Sequence, residues 1–216
     1  MMITLTPVLD LWSIECPFWP VGESRPIVRR PTAEQVGTAI WALIGRSVTS
    51  IDLHVTAGSP ADAIEAYLIL HRDGDDDDHA PGGLRLTRGG VVIEPGCCAG
   101  LDEWRDWLRV PGGAIIDLGH DPDVLIEHRG PVVRVWQDRD RLLPGDEPGP
   151  GEPYADVPRT ALPGLLHGVQ QDLIGFLDAV RPWARRIAPD LAGPLAEAVD
   201  RRLRITAPLE IAPGLP

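Results

Sequence analysis

The longest regular pattern in the chain is helical: Leu166, Val169, Leu173, Phe176, Leu177, Val180, Ala184 and Ile187 keep one apolar stripe through roughly six turns. A stripe of that length has to be covered. Leu191, Leu195, Ala198, Val199 and Leu203 predict a second helix over 190–204, stopping before Thr206 and Pro208. Pro182 lacks a backbone donor and its ring clashes with the preceding turn, so it is expected to kink or divide the first helix. A fold for this chain must therefore end in a pair of helices.

Upstream, most patterns are those of strands. Ile3–Ile14 is apolar and β-branched but broken by Pro7, which predicts an edge strand or two short ones. An irregular Cys16-Pro17-Phe18-Trp19-Pro20 segment follows, and its two large aromatics predict that it packs. Thr32 with Gln35 is a capping box, and Val36, Ala39, Ile40, Leu43 and Ile44 predict a helix over 33–44 that Gly45 ends. Val48–Val55 alternates as a strand does. Residues 59–71 fit either a helix started by Ser59-Pro60 or a buried strand through Tyr67-Leu68-Ile69-Leu70. Leu84–Glu94 reads as a hairpin turning on Gly89-Gly90, two residues that take positive φ without steric cost.

A short helix over 101–108 would put Leu101, Trp104 and Leu108 on one face. Ala114–Leu118, Val124–His128 and Val132–Trp136 are further strands, the last two joined at Arg129-Gly130. From Asp138 to Pro163 the chain is rich in proline, glycine and acids and reads as a long connection. The expected fold is α+β: a mostly antiparallel sheet with helices on one face and the C-terminal helical pair. A single domain over 1–208 is expected, with sheet-rich residues 1–138, the acidic connection 139–163, helices in 164–204 and a tail at 209–216. A Rossmann-like sheet is the lesser alternative, since no Gly-x-Gly-x-x-Gly follows a candidate strand.

Composition narrows the chemistry. The chain has no lysine, so Schiff-base catalysis, a P-loop and a protein-kinase strand lysine are all excluded. The formal charge of −12 opposes nucleic-acid backbones and anionic membranes and makes a basic protein the natural complement, unless the charge serves only to keep the surface solvated. Cys16, Cys97 and Cys98 cannot all pair within one chain, and the adjacent two would strain a disulfide, so reduced thiols and a cytoplasmic location are expected. Residues 1–20 lack a basic n-region, so no signal peptide is read there.

Two clusters carry polar chemistry. The first runs from His71 to His79 and contains Asp73, Asp75, Asp76, Asp77 and Asp78. It lacks the glycine and final glutamate of an EF-hand loop, and is read as an anionic patch for a partner against the plainer reading of a solvated loop. The second groups Cys97, Cys98 and Trp104 with His120, Asp121 and Trp136 as candidate lining of one pocket. Against it, buried cysteines and tryptophans are ordinary core residues. Adjacent cysteines rarely serve one tetrahedral ion, structural zinc sites spacing them by two to four residues, so no metal or other cofactor is expected. No serine lies in Gly-x-Ser-x-Gly, and His-Glu-x-x-His and Cys-x-x-Cys are absent.

The run Pro-Gly-Cys-Cys-Ala-Gly-Leu-Asp-Glu-Trp-Arg-Asp-Trp at 95–107, with Gly-His-Asp-Pro at 119–122, Arg-Val-Trp at 134–136 and the amphipathic region 170–177, resembles uncharacterised soluble proteins of high-GC actinobacteria over most of residues 1–208. That group implies no catalytic residue. In size, acidity and tryptophan content the chain is also similar in type to immunity proteins of bacterial toxin systems such as the SUKH superfamily. Two functions follow as expectations. The first is an acidic interaction module, immunity- or adaptor-like, binding a basic protein partner through Asp73–Asp78. The second is a small enzyme or ligand-binding protein, metal-dependent or not, using the Cys/His/Trp pocket. Self-association through the C-terminal helices is a further possibility that the apolar stripe leaves open.

Overall fold

Gly89 and Gly90 have φ of 55° and 89°, and the strands on either side pair antiparallel from Arg88↔Val91 to Leu86↔Ile93. The expected hairpin turn forms at the expected dipeptide because positive φ at both central residues matches the twist of the flanking strands. A computed structural model describes residues 2–11, 15–23, 25–49, 57–71, 79–137 and 153–210. The elements are β1 (Ile3–Leu9), α1 (Ala33–Thr49), α2 (Pro60–Leu70), β2 (Gly82–Arg88), β3 (Val91–Ile93), a 3₁₀ helix (Leu101–Gly112), β4 (Val124–Arg129), β5 (Val132–Gln137), β6 (Tyr154–Pro158), α3 (Leu162–Ile187) and α4 (Ala192–Leu203). The class is α+β, with two antiparallel three-stranded sheets ordered β1-β2-β3 and β4-β5-β6 and two helices at the C-terminus. β1 lies at a sheet edge, the position to which a proline within a strand is ordinarily confined.

The chain divides into two compact units, one of Met1–Val8, Gly82–Gln170 and Pro208–Pro216, the other of Leu9–Pro81 and Gln171–Ala207. They interleave in sequence, which is why composition alone draws no boundary between them. In the second unit Thr32 and Gln35 exchange the reciprocal bonds of a capping box, at 2.9 and 3.2 Å. Ser59 caps α2 by accepting from the Asp62 N–H, so 60–70 is helix and the strand alternative is excluded. Trp19 is buried against Trp41 and Trp183 in edge-to-face geometry, its indole N–H donating to the Gly37 carbonyl, so the 16–20 segment packs as expected.

Several expectations are corrected. α1 continues through Gly45 to Thr49, because a glycine's helix penalty of about 1 kcal/mol is outweighed by burial of Ile44 and Val48 on the same stripe. The strand expected from Val48 is thus helical at its start, and 50–56 fall outside the described residues. Pro182 does not divide α3, which is one helix from Leu162 to Ile187. Ala114–Leu118 forms no strand, and the β4–β5 turn is centred on Gly130-Pro131, one residue later than the sequence pattern predicts.

In the first unit, Leu101, Trp104, Trp107 and Val110 are all buried, a spacing of three. That is the period of a 3₁₀ helix, whose side chains at i and i+3 eclipse. An α-helical period puts Leu108 on this face, where the tighter helix puts Trp107. β6, inside the stretch expected to be a connection, pairs with β5 from Val132↔Pro158 to Trp136↔Tyr154. What holds this short strand is charge as well as backbone. Arg134 donates to both oxygens of its cross-strand partner Asp156, at 2.7 and 2.9 Å, and its guanidinium lies 3.8 Å from the Tyr154 ring centre.

The Arg134 bonds hold the Asp156 carboxyl below its ordinary range, burial working against them. A lowered folded-state pKa means stability that is present above the unfolded carboxylate value and lost as pH falls through the folded one. Asp156→Asn should therefore cost about 1 kcal/mol in urea unfolding at neutral pH, and the difference from the parent should shrink progressively as pH falls below the ordinary carboxylate range.

Candidate functional site

The site is assembled where two glycine-led segments touch backbone to backbone. Gly96 N–H donates to Leu118 O at 2.8 Å and His120 N–H to Cys97 O at 2.9 Å, forming an antiparallel bridge between Cys97 and His120. A Cβ at Gly96 would stand 2.5 Å from the Gly119 carbonyl carbon, and one at Gly119, whose φ is +84°, would stand 2.4 Å from Cys97 O. Only two glycines allow this approach. It brings residues 23 positions apart, Cys97 and His120, into register.

Local backbone does the rest. Cys98 has φ of +66° and Asp121 +46°, both in the left-handed region that costs a residue with a Cβ about 1–2 kcal/mol. Consecutive side chains of extended chain point to opposite sides. The left-handed turn at Cys98 instead swings its thiol back beside its neighbour's, with Sγ atoms 3.7 Å apart. His120 Nδ1 lies 3.1 Å from Asp121 Oδ2. Cys97, Cys98 and His120 each offer a ligand atom within 4.8 Å of the others, and all three are exposed.

This corner opens into a cleft of about 850 Å³. Its lining includes Cys98 and His120, the apolar Ile115, Ile116, Val124, Leu125 and Trp136, and the acids Asp117, Asp123 and Glu127. β4 and β5 build the wall. Leu125 stands opposite Trp136 in register, and the Trp136 indole N–H donates diagonally to Glu127 Oε2 at 2.9 Å. Arg129 pairs with the other Glu127 oxygen at 2.9 Å. Asp117 Oδ1 accepts from Gly119 N–H, which ties the acid to the glycine turn. The Cys98 thiol is pushed above its ordinary value, first by its hydrogen bond with Cys97 and by that neighbour's charge, then by burial, Asp117 and Asp121.

Of the six residues expected to share a pocket, Cys98, His120 and Trp136 line the cleft, while Cys97 and Asp121 lie beside it in contact with Cys98 and His120. Trp104 is 1% exposed on the buried face of the 3₁₀ helix and does not contribute to the lining. Asp73, Asp75, Asp76, Asp77 and Asp78 lie outside the described residues. Sequence reasoning passes over Asp117, Asp123 and Glu127. The alternation of β4, which sets Leu125 and Glu127 on one face, is the signal for the last.

Gly119→Ala should wedge the two segments apart. Its expected signature is a large drop in the rate at which a dithiol-specific trivalent arsenical reacts at Cys97 and Cys98, with hydrogen exchange at the His120 amide accelerated and little change at amides of the second unit. Among the described residues, no helix is long and apolar enough to cross a membrane. No family model, curated protein or solved structure matches the chain.

Proposed function

We propose that the protein acts through this cleft, as a small enzyme or ligand-binding protein whose ligand is an organic cation with an apolar body. The observation that carries the reading is the convergence of Cys98, His120 and Trp136 on one concavity with Asp117, Asp123 and the Arg129-paired Glu127, and with no arginine among the described lining residues. Concave sites with an apolar wall and a few converging polar groups are where small molecules bind. Asp117 and Asp123 at such a wall favour a positive group and repel a negative one. Ile115, 72% exposed at the edge of the cleft, offers apolar surface that a ligand's body would cover.

The reading as an acidic module for a basic protein partner draws on the net charge of −12 and on Asp73–Asp78. The cleft draws on described geometry and is preferred for that reason.

The test is a comparison of like shapes with opposite charge. Phenethylamine and benzamidine should raise the unfolding midpoint in a dose-dependent way, while phenylpropionate and benzoate should not. A ligand at a hundredfold excess over its Kd stabilises by about 2.7 kcal/mol, ample for detection. Asp117→Asn with Asp123→Asn should weaken the amines about tenfold, or about 1.4 kcal/mol. Equal binding of amines and carboxylates, or amine binding indifferent to those two acids, would overturn the reading.

A further inference from the structure

The two thiols and the imidazole have a property that the cleft reading does not use. In a tetrahedral zinc site, Zn–S bonds of about 2.3 Å place two sulfur ligands about 3.8 Å apart. The Cys97 and Cys98 Sγ atoms are 3.7 Å apart. Adjacent cysteines are poor partners for one ion when the backbone is extended, since their side chains diverge. The left-handed φ of Cys98 removes that obstacle, and the glycine-lined bridge delivers the imidazole from 23 residues away.

Charge separates metal binding from thiol catalysis. A nucleophilic cysteine is activated by an electropositive setting. Here the neighbouring charged groups are carboxylates: Asp121 contacts His120, and Asp117 lines the same cleft as Cys98. Carboxylates beside the site favour a cation there. Two sulfurs with one imidazole select a borderline or soft metal and reject magnesium or calcium, which take oxygen. The contact of His120 Nδ1 with Asp121 Oδ2 is the carboxylate–histidine arrangement that orients metal-bound imidazoles, leaving Nε2 for the ion.

We propose that Cys97, Cys98 and His120 bind one zinc ion whose fourth coordination position is open to the cleft, with Asp121 as a positioning residue. Three protein ligands and one open position are the pattern of catalytic zinc, whereas structural zinc has four. Two thiolates cancel the charge of the ion, so the cleft keeps its anionic character. The three-ligand site stands on its own geometry. Only the open position rests on the cleft reading.

The experiment uses the reduced, metal-free 216-residue chain carrying Cys16→Ser, which leaves only the two thiols in question, and titrates it with Co²⁺ as the spectroscopic stand-in for zinc. One equivalent should produce thiolate-to-cobalt charge-transfer absorption and the intense visible bands of tetrahedral cobalt, both erased by one equivalent of Zn²⁺. Cys97→Ser and Cys98→Ser should each remove about half of the charge-transfer intensity, and the double variant all of it. His120→Ala should weaken Co²⁺ at least roughly tenfold, and Asp121→Asn about 10–100-fold with the band positions unchanged. Circular dichroism of each variant separates lost ligands from lost fold.

Absence of tetrahedral bands at stoichiometric cobalt, or bands that survive the double cysteine variant, would overturn the site. Imidazole added to the cobalt form should shift the visible bands by entering the fourth position, and an unmoved spectrum would overturn the open coordination alone. The amine and carboxylate probes are scored on the metal-free chain, so failure of the cleft reading and failure of the zinc site give different results.

Discussion

The approach of Gly96 to Gly119 is the constraint on which the rest of the site depends. Both residues are packed so closely against opposing backbone that a single methyl group on either would overlap a carbonyl group of the other segment. That closeness gives the two hydrogen bonds of the Cys97–His120 bridge, and the bridge gives the register that puts an imidazole beside two thiols. The strained φ values at Cys98 and Asp121 are found on either side of this contact. Strained residues persist where surroundings over-determine them, and they cluster at sites of function. The surroundings here are the glycine contact on one side and the wall of β4 and β5 on the other.

Much of the architecture is legible in the sequence because it rests on local rules. The capping box at Thr32 and Gln35, the glycine pair of the β2–β3 hairpin, the β4–β5 strands and the two C-terminal helices each announce themselves within a window of a dozen residues. The misreadings share a different cause. β6 is five residues long, follows Pro153 and ends on Pro158, and its ladder with β5 is reinforced by an ion pair with Arg134 from that strand. The 3₁₀ helix resembles an α-helix in sequence because periods of 3.0 and 3.6 diverge by only about one residue over two turns. α1 outruns Gly45 because tertiary burial exceeds a local penalty.

The candidate site is half legible for the same reason. Residue types can be named, since Cys97, Cys98, His120 and Trp136 are rare and chemically distinctive. Their geometry cannot, since nothing in the spelling Cys-Cys says that the second residue will adopt a left-handed conformation. Trp104 groups with them by proximity in sequence, and it goes instead to the core, where its neighbours three residues before and after also point. The acids of the cleft escape notice because carboxylates are common in a chain of this composition, and only placement distinguishes the three that line a wall from the rest.

The bridge between Cys97 and His120 also has a topological meaning. It is the neck of a closed loop whose body is residues 98–119, and that body contains the whole 3₁₀ helix with its buried tryptophans. The segment is fastened twice, at its neck by the backbone bridge and along its body by the burial of Leu101, Trp104, Trp107 and Val110, so the thiols stand at the mouth of a closed loop rather than on a free surface strand.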